Sequence, residues 1–244
     1  MGQALAEGLS ATGRFTVAAL VDEHEPRELF GSRYAGSLGD LDAGSIDAVV
    51  DFSSPEGVAR SATWCAEHGV ALVVGATGLS DEQRQSLRDT AEHVSVVVAS
   101  NFSVGAVFAE RFAAAAAPYF DRVEIVELHH DKKVDAPSGT SLATARGIAD
   151  ARRAAHQPPL IDPTTRFSVE GSRGADGTDG VKIHSVRLPG LVAHQEVLFG
   201  SPGEGLTIRH DSFDRQSFVH GVALALDVAD STPQFIDGIS SLIN

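Results

Sequence analysis

Four segments within the first hundred residues, RFTVAALVD, IDAVVDF, VALVVGA and VSVVVAS, are apolar at nearly every position. A strand with one face in water alternates apolar with polar side chains. A strand apolar throughout has both faces covered, which is the condition of a parallel sheet flanked by helices. The helical patterns needed for that cover lie between the later strands. PEGVARSATWCAEHG has Pro55 at a first-turn position, and SDEQRQSLRDTAEH has Ser80 as N-cap. These segments therefore predict a doubly wound α/β domain.

SVGAVFAERFAAAAAPYF continues as a helix to about Pro118, and after it the pattern changes. A strand, RVEIVEL, runs into the polar loop HHDKKVDAPSG and the helix TSLATARGIADARRA. A stretch rich in Pro, Gly and charge, from about His156 to Gly180, reads as loop. VKIHSVRL, VAHQEVLFG and GLTIRHDS then follow closely, as the strands of an antiparallel or mixed sheet do. This is a second domain, of α+β type. A final helix, RQSFVHGVALALDVAD, carries Phe218, Val222, Ala225 and Leu226 on one face. The expected division is residues 1–100 and 211–244 in one domain and 101–210 in the other.

The chain of 244 residues carries 19 Lys and Arg against 33 Asp and Glu, a net charge of −14. That mean field repels phosphate and argues against nucleic acid as a partner, although a local cation cluster still accommodates an anionic substrate. Cys65 is the single cysteine, so no internal disulfide forms, and its apolar surroundings make it a buried structural thiol. No run approaches the roughly 18 apolar residues of a membrane span. No secretory leader is recognisable, and a cytoplasmic location is expected.

In a parallel sheet, ligands gather at the carboxyl ends of the strands. RFTVAALVD ends in Asp22, which lies 20 residues after Gly2, the spacing between a phosphate-loop glycine and an acid that binds ribose. A solvated strand-end acid is the plainer reading. VALVVGATG ends in a turn of small residues, Gly75-Ala76-Thr77-Gly78, and VSVVVASNF ends in Ala99-Ser100-Asn101-Phe102. Each is ordinary turn chemistry alone. Together, at successive strand ends, they suggest a cofactor site.

ELHHDKKVDAPSGTS holds the densest chemistry. Two His, two Lys and two Asp fall between His129 and Asp135, and Ser138 N-caps the following helix. Gly139 and Thr140 then present backbone N–H groups at a helix N-terminus, a site for carboxylate or phosphate. Lys132 and Lys133 add positive charge, and a histidine moves protons near neutral pH. A solvated charged loop is the competing reading. Zinc held by His129 and His130 is another, but no cysteine or spaced His/Asp set accompanies them, and no metal is expected. His184, Arg187, His194, Arg209 and His210 lie on the later strands as further candidates, with His194 as plausibly structural as catalytic.

At this loop the chain resembles the dihydrodipicolinate reductase family. The resemblance extends through VVDFSSPEG, VVGATGLS, ASNFSVGA, VRLPGLVAHQEVLFG and LTIRHDSFDRQSFVHG, covering nearly the whole chain in order. It implies a Rossmann-type domain for NADH or NADPH, a substrate-binding and oligomerisation domain made mostly of sheet, and a homotetramer built through those sheets. The implied reaction is reduction of 4-hydroxy-tetrahydrodipicolinate, a small dicarboxylate, to tetrahydrodipicolinate with loss of water, in the diaminopimelate route to lysine. By position, the resemblance makes His129 the acid/base residue and Lys133 its proton-donating partner, and it makes His130, Gly139 and Thr140 the substrate-carboxylate contacts. It places Gly2, Asp22, Gly75, Ala76, Thr77, Ala99, Ser100, Asn101 and Phe102 at the cofactor. Ala76 stands where the family has the first threonine of Gly-Thr-Thr, and Ser100 where proline is common. Both are small changes that tune affinity.

Asp22 is followed by Glu23, His24 and Glu25 with no adjacent arginine. A 2′-phosphate meets acid there, so NADH is expected to serve at least as well as NADPH. Family members begin with a strand and a turn of the form Gly-x-x-Gly-x-Met-Gly, and Met1-Gly2 resembles the end of that motif. The resemblance thus implies an N-terminally truncated first sheet, with one strand and most of the glycine turn preceding Met1 in a longer natural protein. A member that binds ligand or oligomerises without turnover is the alternative to an active reductase. A different Rossmann oxidoreductase acting on a small acid is disfavoured by the His-His loop.

Overall fold

A computed structural model describes residues 1–229 and 232–243. In chain order it runs α1 (Gly2–Ala11), β1 (Ala19–Val21), β2 (Arg33–Ala35), β3 (Ala48–Asp51), α2 (Pro55–His68), β4 (Ala71–Val74), α3 (Asp81–Thr90) and β5 (Ser95–Val98). There follow α4 (Val104–Ala116), β6 (Arg122–His129), α5 (Gly139–Ala154), β7 (Ala175–Asp176), β8 (Lys182–Arg187), β9 (Ala193–Ser201) and β10 (Glu204–Ser212). The chain continues through α6 (Val219–Ala229) and β11 (Gln234–Asp237). It divides into two compact units, Met1–Val104 with Arg215–Asn244, and Gly105–Asp214.

The first unit holds a parallel four-stranded sheet in the order β11-β5-β4-β3. β4 and β5 are buried at every residue, as strands apolar on both faces require. Val58, Ala62 and Cys65 of α2 and Leu87 of α3 pack on Leu72, Val74, Val96 and Val98. Local chemistry sets the helix ends. Ser54 accepts from the Gly57 amide with Pro55 in the first turn, and α2 stops at Gly69 in the left-handed region at φ 70°. Ser80 and Gln83 form a reciprocal capping box on α3. Cys65 is fully buried, and that burial pushes its thiol up to about 12, so it packs as a small hydrophobe.

Several elements differ from the sequence expectation. RFTVAALVD forms strand only over Ala19–Val21, and β1 pairs in parallel with β2 in a separate two-stranded sheet. Among the described residues β1 has no pairing to the four-stranded sheet, which is why its residues are half-exposed or exposed and not enclosed. β2 and β11 are too short and too polar to show a strand period. The last helix begins at Val219, and Phe218 ends a 3-10 turn before it. Val222 and Ala225 are buried as expected. Asp230, which the sequence reading placed at the end of that helix, lies outside the described residues.

The second unit is a mixed sheet in the order β10-β9-β6-β8-β7, with β6 antiparallel to β9 and parallel to β8. Val123, Ile125, Ile183, Val197 and Phe199 face Ala113, Ala145 and Ile148 of the helices. The Pro- and Gly-rich stretch is mostly loop, as its composition implies, but Ala175–Asp176 pairs at the sheet edge.

Candidate active site

On β6 the side chains at Val123, Ile125, Glu127 and His129 share a face, because a strand repeats every two residues. The first two are core. Glu127 continues the same row and is 0% exposed, an acid where the alternation calls for an apolar residue. Burying a lone carboxylate is very costly, so its partners must be complete. Arg187, opposite His129 in the β6–β8 register, grips it as a fork, Nη1 to Oε2 and Nη2 to Oε1, both at 2.8 Å. The Ser138 amide donates to Oε1 at 3.3 Å, and His129 Nδ1 lies 2.5 Å from Oε2. Burial works against ionisation of Glu127, but Arg187, Ser185 and His129 outweigh it and hold its carboxyl below the usual range.

His129 is moved the other way. Burial, the largest influence, lowers its pKa, and Lys133 and Arg187 act in the same direction, while Glu127 opposes them. Lys133 is anchored by both oxygens of Asp135, at 2.8 and 2.9 Å. Arg187 Nη2 also donates to the Asp135 carbonyl at 2.7 Å, fastening the loop to the sheet. The helix that follows has Ser138 as its cap, with Oγ accepting from the Ser141 amide at 3.2 Å. Gly139 and Thr140 open that helix, where backbone N–H groups have no intrahelical partner. Space above Gly139 is open, with nothing within 4 Å of a Cβ placed there. His129, Lys133, Gly139 and Thr140 thus surround one basic, donor-rich corner at the end of β6. His130 is exposed and stands outside the Glu127 network, its carbonyl closing the turn to the Lys133 amide at 3.2 Å.

Sequence reasoning named Arg187 only among scattered candidates and passed over Glu127 within RVEIVEL. The signal available was the broken alternation, an acid in an inward row. The other candidates are held in structural contacts. His194 is buried, with Nδ1 on Asp211 at 2.7 Å and Nε2 accepting from the Val192 amide at 3.2 Å. His184 meets Glu124 at 2.7 Å, Arg209 pairs with Asp211 at 2.8 Å, and the His210 ring lies against Gly105. Among the described residues no group of His, Cys, Asp or Glu is arranged to hold a metal ion.

In the first unit, Asp22 follows β1 directly and accepts from the His24 amide at 3.0 Å. Gly75 follows β4, its amide bonded to the Asp51 carbonyl at 2.8 Å, and Ala99 follows β5, bonded to the Val74 carbonyl at 3.0 Å. Asn101 Oδ1 accepts from the Ser103 amide at 2.9 Å, shaping that turn. Thr77 and Ser100 are exposed, whereas Ala76, Ala99 and Phe102 are buried, so Phe102 supports its loop from beneath. Phe52 packs against Phe102 at 5.4 Å between ring centroids and lies directly over Gly75, where a Cβ would sit 2.1 Å from the ring. α1 has neither a side-chain cap nor an acid in its first turn, and the space beside Gly2 is open. A carboxylate for ribose hydroxyls, an uncapped helix start for phosphate and close-set backbone loops are a donor set that fits a dinucleotide.

Comparison with known proteins covers both units. Residues 1–102 match the family model for the N-terminus of dihydrodipicolinate reductase, and residues 105–242 match that for its C-terminus. A 4-hydroxy-tetrahydrodipicolinate reductase of Mycolicibacterium gilvum is 44% identical over 247 residues, covering 100% of this chain and 95% of that one. One from Beutenbergia cavernae is 48% identical over 231 residues, covering 91% and 92%. Among solved structures, a dipicolinate-bound dihydrodipicolinate reductase from Paenisporosarcina sp. TG-14 superimposes with a TM-score of 0.85 at 36% identity, covering 99% of this chain and 95% of that one.

Proposed function

The chain belongs to the dihydrodipicolinate reductase family, and from that premise we propose how its residues divide the work. The reaction is the NADH- or NADPH-dependent reduction of 4-hydroxy-tetrahydrodipicolinate to tetrahydrodipicolinate with loss of water, in the diaminopimelate route to lysine. Its balance consumes one hydride and one proton and releases one water. The first unit holds the cofactor and the second holds the substrate. When bound, the dinucleotide supplies the hydride. Asp22 would hold the ribose hydroxyls, the start of α1 at Gly2 would take the pyrophosphate, and the turns Gly75–Thr77 and Ala99–Phe102 would line the rest of the cofactor.

His129 supplies the proton from Nε2, since Nδ1 is committed to Glu127. Burial lowers its pKa in the free protein, and an arriving dicarboxylate favours the imidazolium, so substrate binding charges the acid that it needs. Lys133, held in place by Asp135, neutralises a substrate carboxylate and partners the proton transfer. The Gly139 and Thr140 amides and His130 receive carboxylate oxygens. The observation that carries this reading is the buried Glu127–His129 pair beside an open helix N-terminus. The intact pair also favours turnover over ligand binding alone. Dipicolinate is the probe, being the ligand of the Paenisporosarcina relative. It competes with substrate in the wild type and loses affinity about tenfold or more in Lys133→Ala. Noncompetitive inhibition, or equal affinity in the variant, contradicts the assignment.

The acidic Glu23 and Glu25 beside Asp22 support NADH as a cofactor at least as good as NADPH. A homotetramer formed through the second sheet is supported by Leu198 on β9 and Leu206 on β10, each 37% exposed. Sedimentation equilibrium at four times the 25.5 kDa chain mass is the expected result. A cytoplasmic location accords with the single buried thiol. No helix among the described residues is long and apolar enough to cross a membrane.

A further inference from the structure

We propose that Glu127, clamped by Arg187, is a positioning residue that dictates which ring nitrogen of His129 carries the exchangeable proton. The inference rests on the reading of His129 as the acid. A carboxylate with no proton only accepts hydrogen bonds. Both Glu127 oxygens are occupied by donors: Arg187 Nη2 and the Ser138 amide on Oε1, Arg187 Nη1 on Oε2. The Ser185 side chain donates to the same carboxylate, so the remaining contact, His129 Nδ1 on Oε2 at 2.5 Å, must be an N–H donating. Nδ1 keeps its hydrogen in both charge states of the ring, and Nε2 alone gains and loses one.

Arg187 has a second effect. It cancels the charge of Glu127, so the pair directs the ring without adding a large net field. The groups facing His129 are Glu127 and Arg187 from the sheet and Lys133 from the loop, the last tied to Asp135. Apolar residues at both 127 and 187 would fill the core without a buried charge, and buried ion pairs seldom add stability over such joint replacements. Rotational freedom of His129 is what the pair removes.

Glu127→Gln separates the possibilities. The amide still accepts from Arg187 but turns its NH2 toward Nδ1, which must then accept. The neutral ring carries its hydrogen on Nε2, and the imidazolium faces a donor. The expected result is a kcat lower by about 10²-fold or more, with KM for the dicarboxylate and Kd for NADH little changed. The fall of activity with rising pH, as the acid is lost, moves to lower pH than in wild type. Nitrogen NMR of histidine-labelled protein reads the tautomer directly, with Nδ1–H expected in the wild type and Nε2–H in Glu127→Gln. A neutral wild-type His129 ring with its hydrogen on Nε2 overturns the proposal even if the variant does not fold, and so does a folded variant with unchanged kcat and pH profile. Absence of wild-type turnover would refute the reductase assignment, whereas the tautomer decides the role of Glu127 independently.

Discussion

His129 and Glu127 stand two residues apart on one strand, and their difference in burial separates their tasks. The histidine reaches the donor-rich corner, while the acid sits wholly beneath it. His129→Gln keeps a side chain of similar length but provides no titratable group. Its kcat should fall by about 10² to 10⁴-fold, with NADH binding unchanged by fluorescence titration. Weakened NADH binding in that variant would mean that the histidine belongs to the cofactor site. Gly75 admits no larger residue, because an added Cβ would lie 2.1 Å from the Phe52 ring, which is itself packed on Phe102. Gly75→Ala should cost about 1–3 kcal/mol by overpacking and raise KM for NADH. A variant with wild-type melting and KM would show that Phe52 is free to move. The cluster from His129 to Asp135 was legible because six charged or titratable side chains fall within seven residues. Glu127 was not, since either of the two acids in RVEIVEL, Glu124 and Glu127, looks like a solvent-facing position until the sheet register is known.

Strands β4 and β5 and helices α2 and α3 could be read directly, since apolar runs, Pro55, Ser54 and Ser80 mark them locally. β2 and β11 have three and four residues and take their conformation from neighbouring strands, so no local period announces them. Close packing between elements was equally hidden. A Cβ on Gly221 of α6 would lie 2.0 Å from the Phe102 carbonyl oxygen, and backbone cannot move aside as a flexible side chain does. Gly221→Ala should therefore destabilise the first unit by more than the roughly 1 kcal/mol that helix propensity returns. Higher stability in urea unfolding would contradict that packing. Ser138 caps α5 and also fixes the loop through its amide on Glu127. Ser138→Ala should cost about 1 kcal/mol and raise KM for the dicarboxylate by loosening the Gly139 and Thr140 amides. A loss of stability with unchanged KM would confine the serine to capping.

The second unit carries depressed carboxyls in its sheet, Glu127 beside Arg187 and Glu124 beside Arg173 and His184. For both, burial opposes ionisation and the paired cations outweigh it. An acid with a lowered folded pKa contributes stability above its unfolded pKa and loses it as pH falls through the folded value. Melting temperature should drift down below about pH 6.5, where buried His129 resists the proton that the unfolded chain takes up, and drop more steeply below about 4.5 as these pairs lose their charge. A Tm unchanged to about pH 3 would mean that the pairs do not stabilise the folded state. The two-unit plan was visible in the chain itself. The pairing of β6 with β8, which brings Arg187 to Glu127, depends on contacts 60 residues apart and emerges only in the folded molecule.

The central claim is that His129, directed by Glu127, protonates a dicarboxylate while NADH reduces it. Steady-state oxidation of NADH with 4-hydroxy-tetrahydrodipicolinate, followed in wild type and His129→Gln under identical conditions, tests it most directly. The account predicts substrate-dependent loss of NADH absorbance in the wild type and a kcat at least about 10²-fold lower in the variant, with NADPH no more than about tenfold better than NADH in kcat/KM. Equal turnover by the two proteins, or none by the wild type, would contradict it.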